Sequence, residues 1–296
     1  MPPRLQAFFA VVLWGISFVA TKAALREISP VALIFARSAL GTVLLLVTLA
    51  ARRLPLAPPP DSWGPLALMG FVGVCFHQLL QAFGIRLTTA VHAGWIVGLI
   101  PIWSAVLAGL FLRERFGAGK VAGLVLGFAG AALVVSRGRA TPGFFALPGT
   151  RGDLLMLAST LNWAIYTTLG HDTIRRIGSL RATAGAMLFG ALMLAPLLQG
   201  TGGGREYAKL SGTGLAAVLY LGIGASGLGY LFWCGALERV ETSRVAAFLY
   251  LEPLVTLVAA MALLHEPLGL TTLVGGLVVL AGVALVQRAP ARAVPH

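Results

Sequence analysis

Long apolar runs, interrupted at short intervals by proline, glycine clusters or one or two basic residues, set the pattern of this chain. The runs predict helices over Phe8–Leu25, Val31–Ala51, Gly64–Ile85, Val91–Leu112, Gly119–Ser136, Leu154–Gly170, Leu180–Leu198, Gly214–Leu237, Val245–Leu264 and Leu270–Val286. Each is near the ~20 apolar residues that cross a bilayer. Most lack the polar stripe that a helix on the surface of a soluble protein must show to water. The expected fold class is therefore all-α integral membrane, with ten transmembrane helices and the lipid bilayer as solvent.

Composition agrees with this. Of 296 residues, 58% are hydrophobic and 11% charged, against roughly 25% charged in a soluble domain. The net charge of +12 does not point to nucleic acid, because the basic residues stand singly or in pairs between the runs, without a basic stripe or an aromatic-basic motif. With the N-terminus in the cytoplasm, thirteen Lys and Arg fall on that side and eight on the other, with Arg37 inside the second span. The positive-inside rule then places both termini in the cytoplasm of a multi-pass protein of the cell inner membrane. The first run follows Arg4 as a secretion signal would, but no small-residue cleavage site closes it, so it reads as a retained span. Cys75 and Cys234 lie within apolar runs without metal-ligand spacing and read as small buried side chains.

The two halves match at an offset of 152 positions: Pro101 with Pro253, Glu114 with Glu266, Gly117 with Gly269, Gly123 with Gly275, Gly130 with Gly282 and Gly70 with Gly222. At an offset of 149, Trp14 meets Trp163. Ala/Leu/Gly-rich composition alone would not place Pro, Glu and Trp in step. The reading is a first repeat over residues 1–136, a Pro/Gly-rich linker over 137–151 and a second repeat over 152–296. Five spans per repeat is an odd number, so tandem copies enter the membrane from opposite sides. The expected architecture is two inverted five-helix repeats around a central midplane cavity, an arrangement that many secondary transporters use for alternating access.

The residues Leu13-Trp14-Gly15 and Ser17-Phe18, Arg37, and the segments Pro101…Glu114-Arg115 and Pro253…Glu266-Pro267 resemble the EamA type of the drug/metabolite transporter superfamily. The resemblance covers nearly the whole chain as two units. It implies a secondary transporter with a small-molecule substrate. The overall form is similar to bacterial aromatic amino-acid exporters, which implies export of an amino acid; the direction rests on the resemblance alone.

Several polar and aromatic residues within the spans are candidate substrate contacts. His77, Gln78 and Gln81 occupy the third span, with His77 and Gln81 four apart on one face. Their counterparts in the eighth span are Gly229, Tyr230 and Trp233. These groups are candidates either for a common cavity or for interhelical hydrogen bonds. Trp14, Trp95, Trp163, Tyr166 and Tyr250 add aromatic surface suited to an apolar or aromatic amino acid. His92 is read as wet and unexceptional, and Trp63 as interfacial. Glu252, deep in the ninth span, is a candidate for carrying a proton, because an intramembrane carboxylate is costly. The alternatives are a neutral carboxyl bonded to a freed carbonyl or a position nearer the surface. Arg37 is a candidate for a substrate carboxylate, or for snorkelling or a fixed pair. Pro101 and Pro253 are paired hinge or cavity candidates, with a packing kink as the alternative.

Gly222, Gly224 and Gly227 satisfy a GxGxxG pattern inside an apolar span, without the strand-turn-helix context that gives it meaning. Gly119, Gly123 and Gly127 form overlapping GxxxG steps, which serve close helix approach within the chain or dimerisation. The chain is thus a monomer or weak homodimer. No metal, cofactor or nucleophile motif is present, so an enzyme is not expected. The competing classes are a non-transporting membrane receptor, an intramembrane enzyme and a passive channel.

Overall fold

The computed structural model describes residues 1–87, 96–114, 116–136, 151–264 and 270–288. Trp95, His92, Arg115, the linker residues 137–150 and the Glu266-Pro267 pair lie outside the described residues. The described secondary structure is entirely helical. Among the described residues, five stretches are long and apolar enough to cross a membrane: Pro3–Ala24, Pro30–Ala51, Pro60–Leu87, Ser179–Thr201 and Gly212–Leu237; Ile100–Phe111, Ala118–Gly130 and Val274–Arg288 are apolar but shorter.

In chain order the helices are α1 (Pro3–Ala24), α2 (Pro30–Ala51), α3 (Trp63–Met69), α4 (His77–Leu87), α5 (Ile100–Phe111), α6 (Ala118–Ser136), α7 (Arg151–Ile177), α8 (Ser179–Thr201), α9 (Gly212–Leu219), α10 (Tyr230–Leu237), α11 (Thr242–Ala246), α12 (Glu252–Leu264) and α13 (Leu270–Arg288). Helix α1 starts earlier than the hydropathy predicts, because Pro3 supplies a first-turn residue whose missing N–H costs nothing there. Helix α7 outruns the expected Leu154–Gly170 at both ends. The expected glycine-rich loop after the seventh span is mostly folded: Gly202, at φ +67°, closes α8, and a 3-10 turn follows over Gly203–Lys209.

Two corrections concern helices expected to be uniform. The third span carries a π-helical segment, Gly70–Phe76, between α3 and α4, and the eighth carries Tyr220–Gly229 between α9 and α10. The fourth and ninth spans are interrupted. A turn at Gly98-Leu99 precedes α5, and a 3-10 segment, Ala247–Leu251, precedes α12. Pro101 and Pro253 therefore sit in the first turns of new helices rather than in helix interiors. A proline ring collides with the carbonyl four residues back in a continuous helix, and the first turn makes no such demand.

The chain forms two compact units: Met1–Phe83 with Leu169–Arg239, and Gly84–Thr168 with Val240–His296. Each takes elements from both halves of the sequence. In the first unit, α2 packs along α8 and the second π segment, while α1 packs on α9 and α10. Glycine permits the closest approaches. A Cβ on Gly41 would stand 3.2 Å from Gly227 N and Ser226 Cβ and 3.3 Å from Gly222 O; one on Gly190 would stand 2.5 Å from Val74 Cβ and 3.0 Å from Gly70 O. In the second unit α6 lies against α13. A Cβ on Gly123 would stand 2.8 Å from Gly282 O, and one on Gly130 would stand 2.8 Å from Gly275 O.

Polarity is arranged as in a protein dissolved in lipid. On α2, Val43 and Val47 are each 59% exposed while Arg37, Ser38 and Thr42 are buried. Several buried hydroxyls bond back to their own helices, Thr42 to Ser38 O at 2.8 Å and Thr167 to Ala164 O at 3.0 Å, which satisfies those donors away from water.

Candidate functional site

The first unit gathers a polar and aromatic cluster around the two π segments. A π turn bonds i to i+5, so the helix widens and carbonyls lose their α-helical partners. Side chains from neighbouring helices take them up. Trp14 Nε1 donates to Ala225 O at 2.9 Å, and Tyr230 Oη donates to Gly73 O at 2.8 Å. Gln78 Nε2 donates to Tyr230 Oη, also at 2.8 Å. The rings close the cluster: the Trp14 centroid lies 5.7 Å from Tyr230, edge to face, and 5.2 Å from Trp233. Gly229 is what lets the Trp14 indole in, since a Cβ there would stand 2.7 Å from Nε1. Arg37 joins from α2, its Nε donating to Ser226 Oγ at 2.8 Å.

Of the sequence candidates, Trp14, Gln78, Tyr230 and Trp233 are thus brought together and buried. His77 is buried beside Gln78 on α4, and Gln81, one turn on, is half-buried. Trp163, Tyr166, Tyr250, Glu252, Pro101 and Pro253 belong to the second unit. There the Trp163 and Tyr166 rings lie 5.2 Å apart. Tyr250 is fully buried against Gly127, where a Cβ would stand 2.5 Å from its ring, and its hydroxyl has no partner among the described residues. Glu252 is buried, and none of the described residues donates to its carboxylate, while its backbone carbonyl accepts from Thr256 at 2.9 Å.

Sequence reasoning missed Ser226, hidden inside the GxGxxG pattern. The glycines of that pattern serve packing: a Cβ on Gly222 would stand 2.5 Å from Leu40 Cβ, and one on Gly227 2.6 Å from Leu44 Cδ2. Among the GxxxG glycines, Gly123 and Gly127 are covered within the chain, whereas Gly119 has open space. Sequence reasoning also missed an ionic network in the second unit. Lys120 Nζ bonds Glu114 Oε2 at 3.2 Å and Glu241 Oε2 at 2.9 Å, and Arg244 Nε reaches Glu241 Oε2 at 2.8 Å. Ser243 Oγ donates to Glu114, and Arg244 and Gln287 exchange side-chain bonds to each other's carbonyls at 3.0 and 2.8 Å. Burial alone would raise the Glu241 carboxyl, but bonds from Lys120 and Arg244 and their charges outweigh it and hold its pKa below the usual carboxylate value. A further carboxylate, Glu27, clamps the N-cap of α9 through Ser211 N at 2.8 Å and Ser211 Oγ at 2.7 Å. Those bonds lower its pKa too.

A helical, multi-pass membrane protein with a desolvated polar cluster among its spans is the class that this fold and site define. The chain matches the EamA-like transporter family over residues 3–136 and 150–288, and it belongs to that family. It is 32% identical to an uncharacterized transporter of Archaeoglobus fulgidus over 93% of both chains. It is 30% identical to a probable terminal-alkyne amino-acid exporter of Streptantibioticus cattleyicolor, over 94% of this chain and 91% of that one. A solved crystal structure that is 20% identical shares the fold, with a TM-score of 0.76 over 96% of this chain and 95% of the other. Transporters of this kind move small molecules and are not enzymes.

Proposed function

We propose that this protein is a secondary transporter that exports small metabolites, foremost neutral or aromatic amino acids, across the cell inner membrane by alternating access. The reading has ten spans in two inverted repeats, residues 1–136 and 152–296 joined by 137–151, with both termini cytoplasmic. The observation that carries it is the Gln78–Tyr230 hydrogen bond, which joins two residues 152 positions apart. Repeat mates touching each other is what a pseudo-two-fold axis requires of groups lying on it. Pairs away from the axis are reciprocal. Gly123 meets Gly282 and Gly130 meets Gly275, which exchanges the mates at the same offset. The pairing is antiparallel along α6 and α13, so this axis would run across the helices, in the membrane plane. Gly41 on Ser226 and Gly222 is likewise matched by Gly190 on Val74 and Gly70.

The cluster of Trp14, His77, Gln78, Gln81, Tyr230 and Trp233 then forms the substrate site, where elements of the two repeats meet within one unit. Within the second unit, taken by itself, Trp163, Tyr166 and Tyr250 are further substrate-contact candidates, and Glu252 is the candidate for carrying a coupling proton. The amino-acid class is supported by the Streptantibioticus relative and by the mix of aromatic faces and few polar groups. The test is flux of labelled amino acids into proteoliposomes of the purified chain, with unlabelled competitors and an imposed pH gradient. Saturable, competed flux that Glu252→Gln uncouples from the gradient is the expected result. No amino-acid flux in folded protein would sink the substrate assignment.

A further inference from the structure

We infer that Arg37 and Ser226 form a subsite for a carboxylate, so that the transported molecule carries one and an otherwise equal amide or amine is rejected. This rests on reading the cluster of the first unit as the substrate site.

The argument begins with charge accounting. Arg37 is 4% exposed and takes part in no ion pair among the described residues. The five carboxylates of its unit are engaged elsewhere. Glu27 holds Ser211, Asp61 pairs with Arg176, Asp172 lies beside His171, Glu206 accepts from Ser29 N and Glu238 accepts from Ser179 N. A guanidinium does not shed its proton, so burial without a counter-ion is expensive and calls for a ligand.

The donors are arranged for one. Ser226 takes only the Nε–H, which leaves both terminal amino groups without a partner among the described residues. That is the edge of the fork that grips a carboxylate through two parallel bonds. Ser226 is itself buried and does not bond back to its own helix, as Ser17 does to Trp14 O and Thr42 does to Ser38 O. Its hydroxyl proton has no acceptor among the described residues, so it can add a third bond to the same anion. The Trp14, Tyr230 and Trp233 rings lie in the same cluster and suit an apolar or aromatic body.

The duplication provides an internal control. At the offsets that pair the repeats, 149 for the second and seventh spans and 152 for the third and eighth, the mates of Arg37 and Ser226 are Ala186 and Val74. The same packing is built there from apolar residues: Gly190 fits against Val74 as Gly41 fits against Ser226. The fold therefore does not need the polar pair, and its one-sided presence is explained by a ligand.

The experiment measures thermal unfolding of the detergent-solubilised full chain at constant ionic strength with four probes: phenylalanine, phenylacetate, phenylalaninamide and phenethylamine. The carboxylate-bearing pair should raise the midpoint, and the other two should not. Arg37→Gln should weaken carboxylate binding ~10- to 100-fold, the range for a charge-assisted bond lost from a desolvated site. Arg37→Lys keeps the charge without the fork and should fall between. Ser226→Ala should cost a few-fold, and these two variants decide the matter if Arg37→Gln does not fold. The inference is overturned if carboxylates do not bind the folded wild type, if amide or amine binds as tightly, or if carboxylate binding survives in the variants. Amino-acid flux in proteoliposomes without this discrimination would overturn the subsite alone. Discrimination without any such flux would instead sink the export reading and leave the subsite standing.

Discussion

Tyr230 makes two of the bonds that hold the π segments together. Its hydroxyl donates to Gly73 O and accepts from Gln78 Nε2. Removing it by Tyr230→Phe keeps the ring edge to face with Trp14 and leaves a carbonyl and an amide with one partner fewer in a desolvated site. The expected cost is ~1–3 kcal/mol, read as a lowered unfolding midpoint in detergent, whereas an unchanged midpoint would mean that water replaces the phenol. Glu241 gives the residue-scale pH dependence. Its folded pKa lies below the unfolded value, so the stability it adds is present above the unfolded pKa and is lost as pH falls through the folded one. The unfolding midpoint should decline below about pH 4.5, and Glu241→Gln should flatten that part of the profile. A decline of equal depth in the variant would assign it to other carboxylates.

At the scale of elements, glycine pairs decide how closely helices approach. Gly130 on α6 has no room for a methyl group, since its Cβ would stand 2.5 Å from Val279 N, whereas Gly119 on the same helix has nothing within 4 Å. Gly130→Ala should destabilise by ~1–3 kcal/mol or more through overpacking, while Gly119→Ala should be neutral or slightly stabilising. Equal effects would show that α6 and α13 can slide apart. The breaks before Pro101 and Pro253 fall in the same register of the two proposed repeats. If they are hinges, Pro101→Ala and Pro253→Ala should lower transport turnover several-fold with little change in apparent substrate affinity; loss of affinity alone would make them packing features. Sequence reading located both prolines and their equivalence. It put them in helix interiors because hydropathy continues unbroken across a 3-10 segment or a turn, and only the hydrogen-bond ladder distinguishes them.

For the whole molecule, the proposed ten spans put both termini on the cytoplasmic side. A fluorescent protein fused at either end should fold and shine, and alkaline phosphatase at either end should stay inactive. Opposite results at the two ends would require an odd number of spans and break the inverted repeat. The ionic network of the second unit links the turn after α5, the start of α6, the segment around α11 and the end of α13. Lys120→Met should be more damaging than loss of a surface ion pair, because Glu114 would be left 8% exposed without its cation.

The sequence by itself determined that the chain is a helical protein of the membrane, and it is the source of the proposal that the second half repeats the first. Each of these depends on which residue types recur and at what interval, and hydropathy and spacing record that directly. The repeat register made Gln78 and Tyr230 equivalent positions of the two halves; their hydrogen bond is a fact of the tertiary structure. Tertiary structure alone decided that the third and eighth spans open into π turns, that Trp14 and Tyr230 satisfy the carbonyls so freed, and that the Arg37 side chain meets Ser226 without meeting a carboxylate among the described residues. A hydrogen bond between groups nearly two hundred residues apart leaves no trace in local periodicity. It exists because Gly41, Gly222 and Gly229 let helix backbones and an indole come closer than any side chain would allow.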